Sequence, residues 1–161
     1  MKEKEIKIKY QEYNSLEDLD EIDKNLIGKA KKAVLKAYAP YSHFKVGAAV
    51  LLENGETICS NNQENAAYPS GMCAERVAIY YASSKFPDVA IKAIAITANY
   101  NEKDYDKLIS PCGNCRQALL EYEQKQGKPI KVILSAAEEK TVIINSIEDL
   151  LPLSFGSKNL E

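Results

Sequence analysis

The chain has 161 residues, 45% of them hydrophobic, with 21 Lys and Arg against 23 Asp and Glu and a single His. That length fits one domain with one core. The near-balanced charge, with lysines set beside glutamates as in Lys2-Glu3-Lys4-Glu5, argues against a polynucleotide ligand, and no apolar run approaches the roughly 18 residues of a membrane span. The N-terminal MKEKEIKIKY has no continuous apolar h-region, so it does not read as a signal peptide, and a cytoplasmic location is the expected default. In a reducing cytosol the four cysteines are expected as ligands, nucleophiles or core residues ahead of disulfides.

Residues 1–14 read as a short strand or a loose arm, with Ile6 and Ile8 alternating with lysines. Ser15-Leu-Glu-Asp18 has the form of a capping box with Asp in place of the usual Glu. A helix is expected to follow, with Leu16, Leu19, Ile22, Leu26, Ile27, Ala30 and Val34 on its apolar face and an end near Ala39, before Pro40. Lys45–Leu52 and Glu56–Cys59 are β-prone runs on either side of Glu53-Asn54-Gly55, a hairpin signal. The polar SNNQENAAYPSG has loop composition and leads into Cys73, where a second helix is expected to begin and run to about Lys85. Ala90–Thr97 is a nearly continuous apolar run of the kind buried on both faces of a sheet. Asn99–Lys107 reads as a charged loop. A third helix is expected from Pro111 or Cys112 to about Gln126, with Pro at the first turn, where its missing N–H is not needed. Ile130–Ser135 and Thr141–Ile144 read as strands, and Ser146–Leu151 as a short helix. Strands alternating with helices after an opening hairpin predict a layered α/β domain on a mixed sheet.

The chemistry concentrates in two places. In Ser110-Pro-Cys-Gly-Asn-Cys-Arg-Gln117, Cys112 and Cys115 share a face at a helix start. Taken alone, that pair serves a metal or a thioredoxin-like redox couple equally well. Cys73-Ala74-Glu75-Arg76 opens the other helix with a third thiol and, two positions on, a carboxylate. If the two helix starts meet at one edge of the sheet, three thiolates would hold zinc and leave one position open, the mark of a catalytic site. Glu75 would then be near enough to take a proton from water without ligating the metal. Such a site totals −1, and two features would offset that charge: the positive helix ends and the arginines Arg76 and Arg116.

Zinc deaminases carry Cys or His-x-Glu followed by Pro-Cys-x-x-Cys. The longer strings YSHFKVGAAV (Tyr41–Val50), NQENAAYPSGMCAERVA (Asn62–Ala78), SPCGNCRQ and LLPLSF (Leu150–Phe155) resemble the small cytidine deaminases of nucleoside salvage, in that family's order, from about Ala39 to Phe155. The resemblance implies a three-layer α/β/α sandwich around a mixed, roughly five-stranded sheet. It makes residues 15–161 one catalytic domain behind an arm at 1–14. It implies one zinc per subunit on Cys73, Cys112 and Cys115, and hydrolysis of cytidine and 2′-deoxycytidine to uridine and 2′-deoxyuridine with release of ammonia. Glu75 would shuttle protons from the attacking water to the pyrimidine N3 and to the leaving amino group.

Other roles follow from the same likeness. Asn62 and Glu64 would hold the ribose 3′-hydroxyl, as an amide and a carboxylate can do together. Phe44 would pack on the base, the Ala74 backbone would meet the pyrimidine edge, and Tyr68 would line the pocket. Tyr41 and Phe155 would reach a neighbouring subunit's site in a homotetramer. Arg76 would hydrogen-bond to cysteine sulfurs. Plainer readings stand beside these: Asn62 and Glu64 as a polar loop, Tyr68 as a buried structural residue, Phe155 as a cover over the core, and Arg116 as a surface charge. His43 is expected at a surface or interface. Four rivals to the whole reading are a closed structural site that adds Cys59, a zinc-stabilised binding module without catalysis, which would have no use for Glu75, a zinc deaminase resembling the blasticidin S deaminases, and a nucleic-acid editing deaminase, which the lack of a Lys/Arg groove disfavours.

Overall fold

The computed structural model describes residues 1–101, 103–137 and 140–160, with nothing said of the Asp104 side chain. In chain order the elements are β1 (Tyr10–Tyr13), α1 (Glu21–Val34), β2 (Phe44–Leu52), β3 (Thr57–Asn61), α2 (Ala74–Lys85), β4 (Ile91–Tyr100), β5 (Lys103–Asp104), α3 (Gly113–Gln126), β6 (Lys131–Ser135) and β7 (Thr141–Ile144). The strands form one sheet in the order β1-β7-β6-β4-β2-β3, with β5 paired to β4. β4 and β6 run parallel, while the other pairs are antiparallel. The sheet is therefore mixed, as expected.

Among the described residues it has seven strands rather than about five, and the two additions have local causes. β1 comes from the N-terminal arm and pairs with β7, Tyr10 opposite Ile144 and Tyr13 opposite Thr141, where β7 would otherwise leave its backbone groups open at the sheet edge. The alternating Ile6 and Ile8 are exposed and lie before that strand. β5 arises inside the stretch expected to be a loop. β4 continues past Thr97 to Tyr100, and Asn101, in the left-handed region at φ 49°, folds the chain back so that Lys103 pairs with Tyr100. Asn tolerates that conformation better than most residues.

The three layers follow from the period of two along the strands. Ala48, Val50, Ile94 and Ile96 face α2 and α3, where they pack with Ala78, Ile79, Leu119 and Leu120. The intervening Ala49, Ala93 and Ala95 face α1 and pack with Leu26, Ile27 and Ala30. Small residues on this second face let α1 lie close. At Gly47 a Cβ would collide with the Ala30 carbonyl and the Val34 backbone, so only glycine fits the crossing. Each large side chain buried in these layers is worth about 1.5–3 kcal/mol.

α1 begins later than its capping box predicts. Ser15 does accept a bond from the Glu17 amide (3.2 Å), but it caps only a 3₁₀ turn at Leu16–Asp18. Asp20 then caps α1 itself by accepting from the Asp23 amide at 2.8 Å. The inward stripe becomes Asp23, Leu26, Ile27, Ala30, Ala33 and Val34. Ile22, expected on it, is 58% exposed. Asp23 holds an inward place because Lys131 of β6 reaches its carboxylate at 2.5 and 2.8 Å. The helix stops at Val34, short of Ala39. The last expected helix is a 3₁₀ turn, Glu148–Leu150, whose Glu148 amide donates to Ser146 Oγ.

Candidate active site

Parallel β4 and β6 are joined through α3, and α2 leads back into β4. A helix that returns across a sheet starts beside the carboxyl ends of its strands. Both helix N-termini therefore arrive at the same edge. Cys73 is the N-cap of α2 and Cys112 the N-cap of α3, and neither makes the side-chain capping bond usual at that position. Their thiols project past the helix ends instead of folding back on the backbone. Cys115, in the first turn of α3, is buried.

The three sulfurs converge. Cys73 Sγ lies 4.0 Å from Cys112 Sγ, Cys112 Sγ lies 3.5 Å from Cys115 Sγ, and all three are within 4.8 Å of one another. Two sulfurs bound to a tetrahedral zinc at about 2.3 Å would stand about 3.8 Å apart, so the set fits that ion. Among the described residues no further His, Cys, Asp or Glu joins the group, which leaves a fourth corner open. Cys59 is exposed on β3, outside the cluster, and all four cysteines are free. A closed four-cysteine site and a disulfide are both excluded. His43 is exposed, in the left-handed region at φ 56°, and lies outside the cluster as well.

Charge is distributed unevenly among these groups. The Cys73 thiol is drawn down to about 5, first by a hydrogen bond from Cys115, with burial opposing and Arg76 and Cys112 assisting. Cys115, the donor to Cys73, is pushed up by that bond and by burial. Arg76 Nη2 donates to Cys73 Sγ at 3.8 Å, as the arginine after the glutamate was expected to do. Its Nε is buried without a hydrogen-bond partner among the described residues. Glu75 is 5% exposed. Burial raises its carboxyl and the Cys73 charge adds to the effect, while bonds from its own amide and from Cys115 act the other way.

Beside the cysteines opens a cleft of about 430 Å³ whose lining includes Tyr41, Asn62, Glu64, Tyr68, Cys73 and Arg76. Four of the residues expected to recognise substrate thus share one cavity with Cys73 of the thiol group. Asn62 is held by β2: its Oδ1 accepts from the Val46 amide (2.8 Å) and its Nδ2 donates to the Phe44 carbonyl (2.9 Å). Glu64 accepts from the Tyr41 amide (2.9 Å), the Ser42 amide (3.2 Å) and the Ser42 hydroxyl. Burial alone would raise the Glu64 carboxyl, but these bonds together outweigh it and hold the group below the ordinary carboxylate range.

Four expected residues lie elsewhere or present themselves differently. Phe44 meets Tyr105 edge-on, ring centroids 5.1 Å apart, and does not line the cleft. Phe155 is 60% exposed and outside the cleft, so it does not cover the core. Ala74 is buried, with its carbonyl accepting from Ser60 Oγ at 2.6 Å. Its amide, in the first turn, is one of those a helix leaves unpaired. Tyr68 is 76% exposed and faces Tyr41 at a centroid distance of 6.2 Å, which removes the buried structural reading. Ser60 and Ser42 were missed from the sequence. Both sit in polar or mixed stretches where nothing local marks which hydroxyl will find a distant partner.

Residues 20–128 match the family model described as the cytidine and deoxycytidylate deaminase zinc-binding region. A cytidine deaminase of Sporosarcina psychrophila is 38% identical over 135 residues, covering 84% of this chain and 92% of the relative. One of Halalkalibacterium halodurans is 43% identical over 143 residues, covering 84% and 95%. The crystal structure of cytidine deaminase from Burkholderia pseudomallei superposes with a TM-score of 0.67 at 38% identity, over 81% of this chain and 97% of that one. No helix among the described residues is long and apolar enough to cross a membrane. With its three converging thiols, its adjoining glutamate and these relatives, the chain belongs to the cytidine and deoxycytidylate deaminase family.

Proposed function

We propose that the protein is a zinc-dependent cytidine deaminase, which hydrolyses cytidine and 2′-deoxycytidine to uridine and 2′-deoxyuridine with release of ammonia, in pyrimidine nucleoside salvage. The observation that carries the proposal is a three-cysteine group with a free corner beside a buried glutamate in a chain of this family. Cys73, Cys112 and Cys115 would hold the ion. When bound, zinc activates a water and so supplies the nucleophile for attack on the pyrimidine C4.

The chain's own part is proton transfer and positioning. Burial raises the Glu75 carboxyl, and one positioned carboxyl within reach of both transfers serves as base and acid in turn. Glu75 takes a proton from the attacking water and delivers it to N3. It then carries a second proton from the new hydroxyl to the amino group, which leaves as ammonia. Asn62 and Glu64 hold the ribose hydroxyl from the cleft wall. The Glu64 charge repels a nearby phosphate, which favours nucleosides over nucleotides and polymers. The Ala74 amide is assigned to the pyrimidine edge. Residues 15–161 form the catalytic domain of a cytoplasmic homotetramer with one zinc per subunit, in which Tyr41 and Phe155 act toward neighbouring sites.

Metal analysis together with a cytidine absorbance assay, on wild type and Glu75→Gln, tests this reading. One zinc per chain in both proteins, with turnover in the wild type alone, is expected. A wild type without zinc, or a Glu75→Gln protein with near-normal turnover, contradicts it.

A further inference from the structure

We propose that Arg116 is a positioning residue, whose guanidinium ties the loop presenting Cys112 to the C-terminal segment and thereby holds the ligand loop in its metal-binding geometry. The inference rests on the metal-site reading above.

None of the hydrogen bonds from Arg116 goes to a sulfur. Nε donates to the Pro111 carbonyl (2.8 Å), Nη1 to the Leu150 carbonyl (2.8 Å) and Nη2 to Ser110 Oγ (2.9 Å). Three acceptors from two distant segments thus share one planar fork. The Pro111 carbonyl belongs to the peptide plane whose nitrogen is that of Cys112. Gripping this oxygen fixes that plane, because the peptide bond does not twist, and so fixes the N–Cα bond of Cys112, which leads to the carbon that carries its side chain. The constraint has no local substitute. Pro111 has no N–H to be held by, and Cys112 is exposed and makes no capping bond of its own.

The far end of the tie is firm. Leu150 ends the 3₁₀ turn at Glu148–Leu150, and that turn is bound to α3 through Glu123, a carboxylate only 7% exposed. Glu123 Oε2 accepts from the amides of Ile130 (2.6 Å) and Ile147 (2.9 Å). Its Oε1 accepts from Ser146 Oγ (2.6 Å) and the Glu148 amide (3.1 Å). One turn from the cysteines, Gln117 Nε2 donates to the Phe155 carbonyl at 3.0 Å. Of these three α3 side chains, Arg116 is the one that also reaches the ligand loop. A lysine there could not reproduce the arrangement, since an ammonium's donors radiate from a single atom while the three acceptors here are spread along a fork.

The test measures zinc release from the loaded protein to an excess of a chromogenic chelator, and the thiolate-to-metal absorption of the cobalt(II)-substituted protein. Arg116→Ala is expected to release zinc roughly tenfold faster or more and to shift the cobalt spectrum. Arg116→Lys is expected to fall between it and wild type. Gln117→Ala, which loosens the C-terminal segment without touching the ligand loop, is expected to keep the wild-type release rate and spectrum. A residue acting only on overall stability would lower the melting temperature without altering either readout. Wild-type release and spectrum in Arg116→Ala overturn the proposal. Should that variant fail to fold, Arg116→Lys decides, because the proposal requires the fork and a wild-type rate in it overturns the proposal too. Equal acceleration in Gln117→Ala overturns it as well, since general anchoring would then suffice. A wild type that takes up no zinc overturns the metal-site reading itself, and this proposal with it. A wild type that holds zinc beside unaltered Arg116 variants overturns this proposal alone.

Discussion

Cys73 Sγ and Cys112 Sγ stand 4.0 Å apart although 39 positions separate them in the chain. Each is the N-cap of its helix, so the contact is a meeting of two helix N-termini at one edge of the sheet. The positive ends of the helix dipoles favour thiolates there, and Glu75, one residue inside α2, is carried to the same place. Convergence of the thiols and placement of Glu75 beside them are thus one structural event.

Glu75→Gln keeps the shape of the side chain and removes its capacity to carry a proton. Turnover of cytidine is expected to fall by about 10²–10⁴-fold, with zinc content unchanged. Absorbance kinetics and metal analysis on the same preparation check both halves. A glutamate serving only as a favourable first-turn charge would change activity little.

Arg76→Ala removes the donor to Cys73 Sγ and with it a positive charge beside the thiolates. Zinc affinity is expected to drop about 10–100-fold, measured by competition with a chelator, while the far-ultraviolet circular dichroism stays as in wild type. Unchanged metal affinity and unchanged activity would remove Arg76 from the charge balance of the site.

The hydrogen bonds into Glu64 make its carboxylate resistant to acid. Its folded value is depressed, so its contribution to stability is complete above the ordinary unfolded value and is lost only as pH falls through the lower folded one. The KM for cytidine is expected to stay flat from neutrality down through the ordinary carboxylate range. Ser42→Ala takes away the hydroxyl donor and is expected to move the onset of the acid rise in KM to higher pH. A pH series of KM on both proteins reads this directly, and coincident profiles would count against it.

Asn62→Ala is expected to act on stability as well as on binding. Its amide closes two bonds to the β2 backbone, and each is worth about 0.5–1.5 kcal/mol. Chemical denaturation should register a loss of about 1–3 kcal/mol, alongside a raised KM. A raised KM at full stability would show that the β2 contacts contribute nothing to the fold.

The pair Asp23–Lys131 joins α1 to β6 far from the cysteines. The Asp23 side chain is 4% exposed and that of Lys131 30%. Lys131→Met leaves a buried carboxylate without its partner. It is expected to cost about 3 kcal/mol, the low end for breaking a buried pair because Lys131 keeps part of its surface in water. The double replacement Asp23→Leu with Lys131→Met should recover much of that loss in denaturant titrations.

Much of the architecture is legible from local pattern. β7 occupies Thr141–Ile144 as its apolar run predicts, and α2 and α3 begin within a residue or two of the cysteines that announce them. The start of α1 is not legible in the same way. Ser15 and Asp20 are both competent caps, and both are used. Which of them opens the long helix depends on seating Leu19 in the core and pairing Asp23 with Lys131, contacts that no window of sequence contains. β1 is a similar case: its place depends on an open edge at β7, far along the chain.

At the site, the identity and spacing of Cys73, Glu75, Cys112 and Cys115 are properties of the sequence alone. Ligand type and the geometry of a helix's first turn are local matters, and they suffice to nominate those residues and the chemistry they suit. The sequence likewise determines the alternation of strands and helices that makes the layers. Only the tertiary structure decided that the two cysteine pieces share one space, that Cys59 stays outside it, that Phe44 turns toward Tyr105, and that Arg116 serves the backbone of the ligand loop rather than a sulfur. The reason is physical. Distances between segments remote in the chain are set by strand pairing and by the packing of helices on the sheet, and those depend on every layer at once.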